Sequence, residues 1–350
     1  MPEIHLRRAA AALLLASCAL AACAQPAPPR PAPRPAGGRP EIPAGAIDPE
    51  ATSFSYPYPV QYYLLNSQLQ GLRMAYLDVR PAAANGRSAV LLHGKNFSAA
   101  AWKTAIAALV EQGFRVIAPD QIGFGKSSKP VRYQYSFAQL ALNTHALLSQ
   151  LAIEKPIVVG HSMGGMLAVR YALQYPHALE RLVLVNPIGL EDYAALVPAR
   201  SIDAWYADEL AQTPDTIREY QRKAYYDGAW SPAYEEYIQL PAGWTKHPDY
   251  PRVAWNSALL YEMLFSQPVV HDFPRLHGVC LIIGTRDKTA PGRNFAPPEV
   301  AAGMGNYAQL GKRTRDVIPG SRLIELDGLG HVPQVEAFER FRAALFDCLQ

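Results

Sequence analysis

Ile157-Val158-Val159-Gly160-His161-Ser162-Met163-Gly164-Gly165 is the stretch on which the fold turns. Its first three residues are apolar whichever way they point, as a strand buried between two layers must be. Gly-x-Ser-x-Gly follows, and then a helix-length stretch from Met163 to Tyr175. A serine at a sharp turn between a buried strand and a helix stands clear of the sheet, with its hydroxyl exposed. Such a turn strains the backbone at the serine, and the flanking glycines let neighbouring chain approach where a Cβ would clash. Ser162 is therefore the candidate nucleophile.

Short apolar runs of the same kind recur: Ala89 to Leu92, Val116 to Ala118, Leu182 to Val185, Val279 to Ile283 and Leu323 to Leu326. A weaker alternation from Leu72 to Val79 reads as a further strand. Helix-length stretches lie between them, at Ala99 to Gln112, Phe137 to Leu151 and Glu336 to Leu349. Strand–helix alternation implies right-handed crossovers and an α/β fold with a doubly wound, mostly parallel sheet. One interval breaks the pattern. Residues 191–272 hold no convincing strand but many aromatics, among them Trp205, Tyr220, Tyr225, Tyr226, Trp230 and Trp244. An insertion too long for a loop reads as a helical cap, set into a core formed by residues 60–190 and 273–350. Most of the aromatics are assigned to the cap's own core and a minority to a substrate pocket.

A serine hydroxyl is too weakly acidic to attack unaided, so it needs a base, and the base needs an orienting acid. With an elbow of this kind the chain order is serine, acid, histidine. Of the histidines after Ser162, only His331 lies in a loop directly after a strand and before a helix, in Gly328-Leu329-Gly330-His331. Asp287 follows the run Val279 to Ile283 and would open at the same sheet edge; Asp192 and Asp272 are its rivals. Charge that develops on an attacked carbonyl requires backbone N–H donors. Met163, the residue after the nucleophile, is one candidate. Lys95, in the loop His93-Gly94-Lys95-Asn96, is the other, with the Asn96 side chain as a further donor. His93 and His161 are expected to hold the loop and the elbow rather than to act as bases, and Asp120 to serve a structural turn.

The chain has 350 residues, 49% hydrophobic, with a formal charge of only +3, and no basic run interleaved with aromatics. A nucleic-acid partner is not expected. Arg7 and Arg8 precede an apolar stretch, Ala9 to Ala22, too short to span a bilayer. Leu20-Ala21-Ala22-Cys23 resembles a bacterial lipobox, which makes Cys23 the expected lipidation site, ahead of Cys18 in Leu15-Ala16-Ser17-Cys18. An ordinary cleaved signal peptide is the alternative. Either reading puts the protein outside the cytoplasm, and lipidation would anchor it in the envelope; the absence of Asp after Cys23 favours the outer membrane over the inner. Residues 24–59, rich in Pro and Ala, read as an extended tether. Cys280 and Cys348 could pair in an oxidising compartment, but each sits in an apolar segment and two buried thiols are expected.

The motifs His93-Gly94, Asp120-Gln121-Ile122-Gly123-Phe124-Gly125-Lys126-Ser127, Gly160-His161-Ser162-Met163-Gly164-Gly165, Arg286-Asp287 and Gly330-His331, in that order, resemble the α/β-hydrolase superfamily. The resemblance runs from about Tyr62 to the C-terminus. It implies a triad of Ser162, Asp287 and His331, no metal or cofactor, a cap over the site, and a small-molecule acyl substrate. A serine at the elbow speaks against epoxide hydrolases and haloalkane dehalogenases, which carry Asp there. Hydrolases of meta-cleavage products share the layout, but many of them have Asn where this chain has His161. Carboxylic-ester hydrolysis is the expected activity. Carbon–carbon or other acyl hydrolysis, and a non-catalytic binding protein on the same fold, are the alternatives.

Overall fold

The computed structural model describes residues 42–350; the expected signal peptide, Cys18, Cys23 and the first half of the tether lie outside them. Eight strands form one sheet: β1 (Val60–Ser67), β2 (Gln70–Val79), β3 (Ser88–Leu92), β4 (Arg115–Pro119), β5 (Ile157–His161), β6 (Arg181–Val185), β7 (Cys280–Gly284) and β8 (Arg322–Leu326). Their order is β1-β2-β4-β3-β5-β6-β7-β8. β2 pairs antiparallel with β1 and β4, and every other pairing is parallel. The fold is thus α/β with a mostly parallel sheet.

Three helices follow the first strands: α1 (Lys103–Glu111), α2 (Phe137–Gln150) and α3 (Met163–Gln174). Five more occupy the interval between β6 and β7: α4 (Tyr193–Leu196), α5 (Ile202–Leu210), α6 (Pro214–Ala224), α7 (Glu235–Thr245) and α8 (Tyr250–Ser266). The chain then adds α9 (Pro298–Ala301), α10 (Tyr307–Val317), α11 (Pro333–Glu336) and α12 (Phe338–Leu349). Alternate residues of each central strand serve opposite layers, because successive side chains point to opposite faces. Val90, Val158, Leu184 and Ile283 pack with α2, α3, α8 and α10. Leu91, Val159, Val185 and Ile282 pack with α1 and α12. Burial on both faces is why these strands read as unbroken apolar runs.

Three expectations need correction. Residues 42–59 do not all belong to a free tether. Ala51 is fully buried, the Trp244 indole N–H donates to the Asp48 carbonyl at 3.1 Å, Arg252 pairs with Glu50, and the Tyr56 hydroxyl donates to Asp120 at 2.7 Å. Proline-rich composition says how stiff a segment is but not what it meets. Second, Cys280 and Cys348 are joined in a disulfide with Cα atoms 5.7 Å apart, because α12 packs against β7 and brings together positions 68 residues apart. Third, β1 and α10 join the elements read from sequence. The β1–β2 turn is made by Gln68 and Leu69, both at positive φ, so the Asn-Gly signal of a tight hairpin is missing. α10 buries only a narrow stripe, Tyr307, Leu310, Gly311 and Thr314, and exposes Lys and Arg elsewhere.

Candidate active site

Ser162 sits between β5 and α3 with φ 56° and ψ −122°. A non-glycine residue there costs of order 1–3 kcal/mol and persists only where its surroundings over-determine it. Here the Ser162 N–H donates to the Val185 carbonyl, and the Ser162 carbonyl accepts from Gly165 N and Ile188 N. The close approach also needs glycines. A Cβ on Gly160 would strike the Gly164 carbonyl, and one on Gly164 would strike the Leu92 carbonyl.

His331 Nε2 lies 2.9 Å from Ser162 Oγ, and His331 Nδ1 lies 2.6 Å from Asp287 Oδ2. An ionised carboxylate only accepts, so Nδ1 carries the ring proton and Nε2 is left to accept from the serine. All three side chains are buried, with Ser162 the most exposed at 4%. Each comes from a loop at the carboxyl end of its strand: β5 for Ser162, β7 for Asp287, β8 for His331. The rivals to Asp287 are engaged elsewhere. Asp192 caps α4 and pairs with His271, and Asp272 pairs with Arg170 and Arg275.

Asn186 escapes the sequence reading. It directly follows β6, is fully buried, and has φ 39°. Its Nδ2 donates to Asp287 Oδ2 at 2.8 Å, and its Oδ1 accepts from Gly284 N at 3.0 Å. Thr289 N donates to Asp287 Oδ1 at 2.8 Å. The carboxylate is therefore held on both oxygens. The only signal in the sequence was a polar residue at the end of an apolar strand.

His161 Nε2 donates to the His331 carbonyl at 2.8 Å and ties the elbow to the histidine loop. His93 donates from Nδ1 to the Gly94 carbonyl and accepts at Nε2 from Gln121 N. Burial pulls His93 below the ordinary imidazole range and His161 well below it, so both remain neutral donors. Asp120 accepts from Ala99 N, Lys126 N and Tyr56, which makes it a turn-former.

A Cβ on Gly94 would come within 2.9 Å of Ser162 Cβ, which measures how closely the β3 loop approaches Ser162. The Lys95 and Met163 N–H groups, on that loop and at the start of α3, make no hydrogen bond to another loop or cap backbone group among the described residues. The Asn96 Nδ2 donates to the Tyr225 hydroxyl at 2.8 Å. That bond takes one of the two amide hydrogens and leaves the other for the expected part as an oxyanion donor. Tyr225, at the end of α6, also accepts from His331 N through its carbonyl, which a Cβ on Gly330 would strike, and its ring lies 4.6 Å from the imidazole. The helices between β6 and β7 thus reach the histidine loop. Ser162 opens into a cavity of about 670 Å³ walled by Ile188, Trp205, Tyr225, Tyr261, Leu264 and Phe295. Trp205 also stacks on Tyr261 and Phe265, so it serves both helix packing and the wall.

Residues 89–344 match the profile of the alpha/beta hydrolase family. The crystal structure of a probable hydrolytic enzyme from Pseudomonas aeruginosa superposes with a TM-score of 0.86 at 53% identity, over 87% of this chain and 98% of that one. A 2-hydroxy-6-oxo-2,4-heptadienoate hydrolase from Pseudomonas putida is 27% identical over 55% of this chain and 71% of its own. An uncharacterized Mycobacterium bovis protein is 42% identical over 108 residues, and the match spans only 31% of either chain.

Proposed function

The chain belongs to the alpha/beta hydrolase family, and from that premise we propose a serine hydrolase that cleaves carboxylic esters with an apolar or aromatic part. The observation that carries the reading is the hydrogen-bonded line Ser162–His331–Asp287 at the floor of an aromatic-walled cavity. In acylation, Ser162 Oγ attacks the ester carbonyl carbon as His331 Nε2 takes the hydroxyl proton. Asp287 steadies the imidazolium so formed. The carbonyl oxygen, now negative, rests on the Lys95 and Met163 N–H groups. Collapse breaks the bond to the alcohol oxygen, which leaves with the proton from His331. Water then attacks the acyl-enzyme with His331 again as base, and the acid is released with Ser162 restored.

A second reading, carbon–carbon bond hydrolysis, draws on the similarity to the Pseudomonas putida hydrolase. The same serine, histidine and acid would serve it, and a substrate panel separates the two.

We place the protein in the bacterial envelope, lipidated at Cys23 and held at the outer membrane. The support is the apolar stretch before Cys23 and the Cys280–Cys348 bond, since disulfides persist in oxidising compartments. Labelled fatty acid incorporated by the wild type should be lost in Cys23→Ser; label that persists there would move the site to Cys18.

A fluorophosphonate probe tests the activity. Wild type should be labelled, Ser162→Ala and His331→Ala should not, and p-nitrophenyl esters should then be turned over. Folded wild-type protein that takes no label would end the enzyme reading in favour of a binding protein.

A further inference from the structure

The loop after β3 belongs to the sheet, yet its consecutive side chains Lys95, Asn96 and Phe97 are received by the insertion between β6 and β7. Lys95 Nζ donates to Ser257 Oγ on α8 at 2.7 Å and to Glu209 Oε1 on α5 at 3.3 Å, and lies 3.8 Å from the centre of the Tyr261 ring. Asn96 Nδ2 donates to the Tyr225 hydroxyl at 2.8 Å. Phe97 stacks on the Tyr225 ring, with centroids 5.9 Å apart and planes 26° from parallel. Inside the loop, Phe97 N donates to the Gly94 carbonyl and closes a tight turn. Lys95, whose N–H is the expected oxyanion donor, lies within that turn.

Tyr225 directly follows α6 and is buried. It also meets the base. Its carbonyl accepts from His331 N at 3.0 Å, and its ring lies 4.6 Å from the imidazole. A Cβ on Gly330 would collide with that carbonyl, so the residue before the base has to be one without a side chain. One residue of the insertion therefore holds the base loop with its carbonyl and the β3 loop with its hydroxyl and ring. The sheet does not join these loops directly, because β5, β6 and β7 lie between β3 and β8. Oxyanion donors work only when they are already in place as the charge develops, and a misplacement of about 1 Å can cost about 100-fold in rate.

We propose that Tyr225 is a positioning residue for the reaction at Ser162. With its carbonyl fixed on His331 N, its hydroxyl holds Asn96, and with Asn96 the Lys95 N–H, at the distance from the base that the tetrahedral intermediate requires. The proposal rests on the serine-hydrolase reading. Tyr225 makes and breaks no bond of the substrate, and its hydroxyl acts only through Asn96. The insertion is then a working part of the site as well as its roof.

The test compares wild type, Tyr225→Phe, Asn96→Ala and the double variant in two reactions, hydrolysis of p-nitrophenyl butyrate and labelling by a fluorophosphonate. Tyr225→Phe keeps the ring and the carbonyl and loses the hydroxyl alone. Its kcat and its labelling rate should fall by about 10- to 100-fold. Its KM should stay within about twofold, as expected when an interaction of the transition state alone is lost. On the Asn96→Ala background the same substitution should change either rate by less than about twofold, because the group it acts through is gone. A hydroxyl that only supported the fold would cost the same in both backgrounds. Tyr225→Phe with both rates within about twofold of wild type overturns the assignment, as does a loss carried by KM alone or an equal loss with and without Asn96. A wild type that labels but hydrolyses no ester overturns the ester reading, and the labelling rates by themselves then decide the role of Tyr225. A folded wild type that neither labels nor hydrolyses overturns the serine-hydrolase reading and the assignment with it.

Discussion

Asn186→Ala isolates what holds Asp287, the acid of the proposed triad. Asn186 Nδ2 gives Asp287 Oδ2 a hydrogen bond of 2.8 Å, in a site with no water access to replace it. A buried bond to a charged acceptor contributes about 1.5–3 kcal/mol. Loss of Asn186 Oδ1 also orphans the Gly284 N–H, which it accepts at 3.0 Å, and an unsatisfied buried donor costs about 1–3 kcal/mol. The variant should therefore unfold more easily by about 2.5–6 kcal/mol. Activity should suffer less than in Asp287→Asn, because Thr289 N and His331 Nδ1 still hold the carboxylate. If one charge-assisted bond's worth of orientation is lost, kcat/KM falls by about 10- to 100-fold, against roughly 10⁴-fold for removal of the acid's charge. Urea unfolding and ester kinetics on the same preparation give both numbers. A folded Asn186→Ala enzyme with kcat/KM within twofold of wild type would refute the reasoning, since Asp287 would then be oriented without Asn186.

Cys280→Ala with Cys348→Ala opens a 68-residue loop; chain entropy predicts a loss of about 4 kcal/mol, seen as a lower urea midpoint under non-reducing conditions. An unchanged midpoint would mean that packing of α12 alone fixes the C-terminus. Lys129 is buried, and desolvation lowers its ammonium to about 7 even though Glu50 and Asp120 lie near. Between that value and about 10.4 the unfolded chain binds a proton that the folded one does not, so stability should rise with pH by up to about 1.4 kcal/mol per unit. Below pH 7 the penalty is present in full. Lys129→Met should flatten the rise in urea midpoints between pH 7 and 9, and an identical slope in both proteins would contradict the assignment. Gly164→Ala drives a Cβ into the Leu92 carbonyl and should cost about 1–3 kcal/mol along with fluorophosphonate labelling of Ser162; normal labelling would show that the elbow can relax.

How far the sequence could be read depended on how local each signal was. Ser162 announced itself because strand, tight turn and helix are consecutive, and the glycines are demanded by backbone contacts within and beside that turn. His331 and Asp287 were found by a rule of position, each in the loop after an apolar run, and parallel strands do bring those loops to one edge. Asn186 obeys the same rule but has no ionisable group to draw attention. Asn96 shows the limit from the other side: its place in the loop after β3 was legible, but its bond to Tyr225, 129 residues away on the insertion, was not.

By itself, then, the sequence determined the strand–turn–helix at Ser162, the parallel sheet, and the order of serine, acid and histidine, since periodicity and turn chemistry act over a few residues. Tertiary structure decided the rest. It joined Cys280 to Cys348, laid residues 42–59 against Asp120 and Arg252, and set the Tyr225 carbonyl on the His331 loop. Each of these depends on which distant surfaces meet. Side-chain alternation fixes how a strand or helix is buried, but not which remote residue will lie against it.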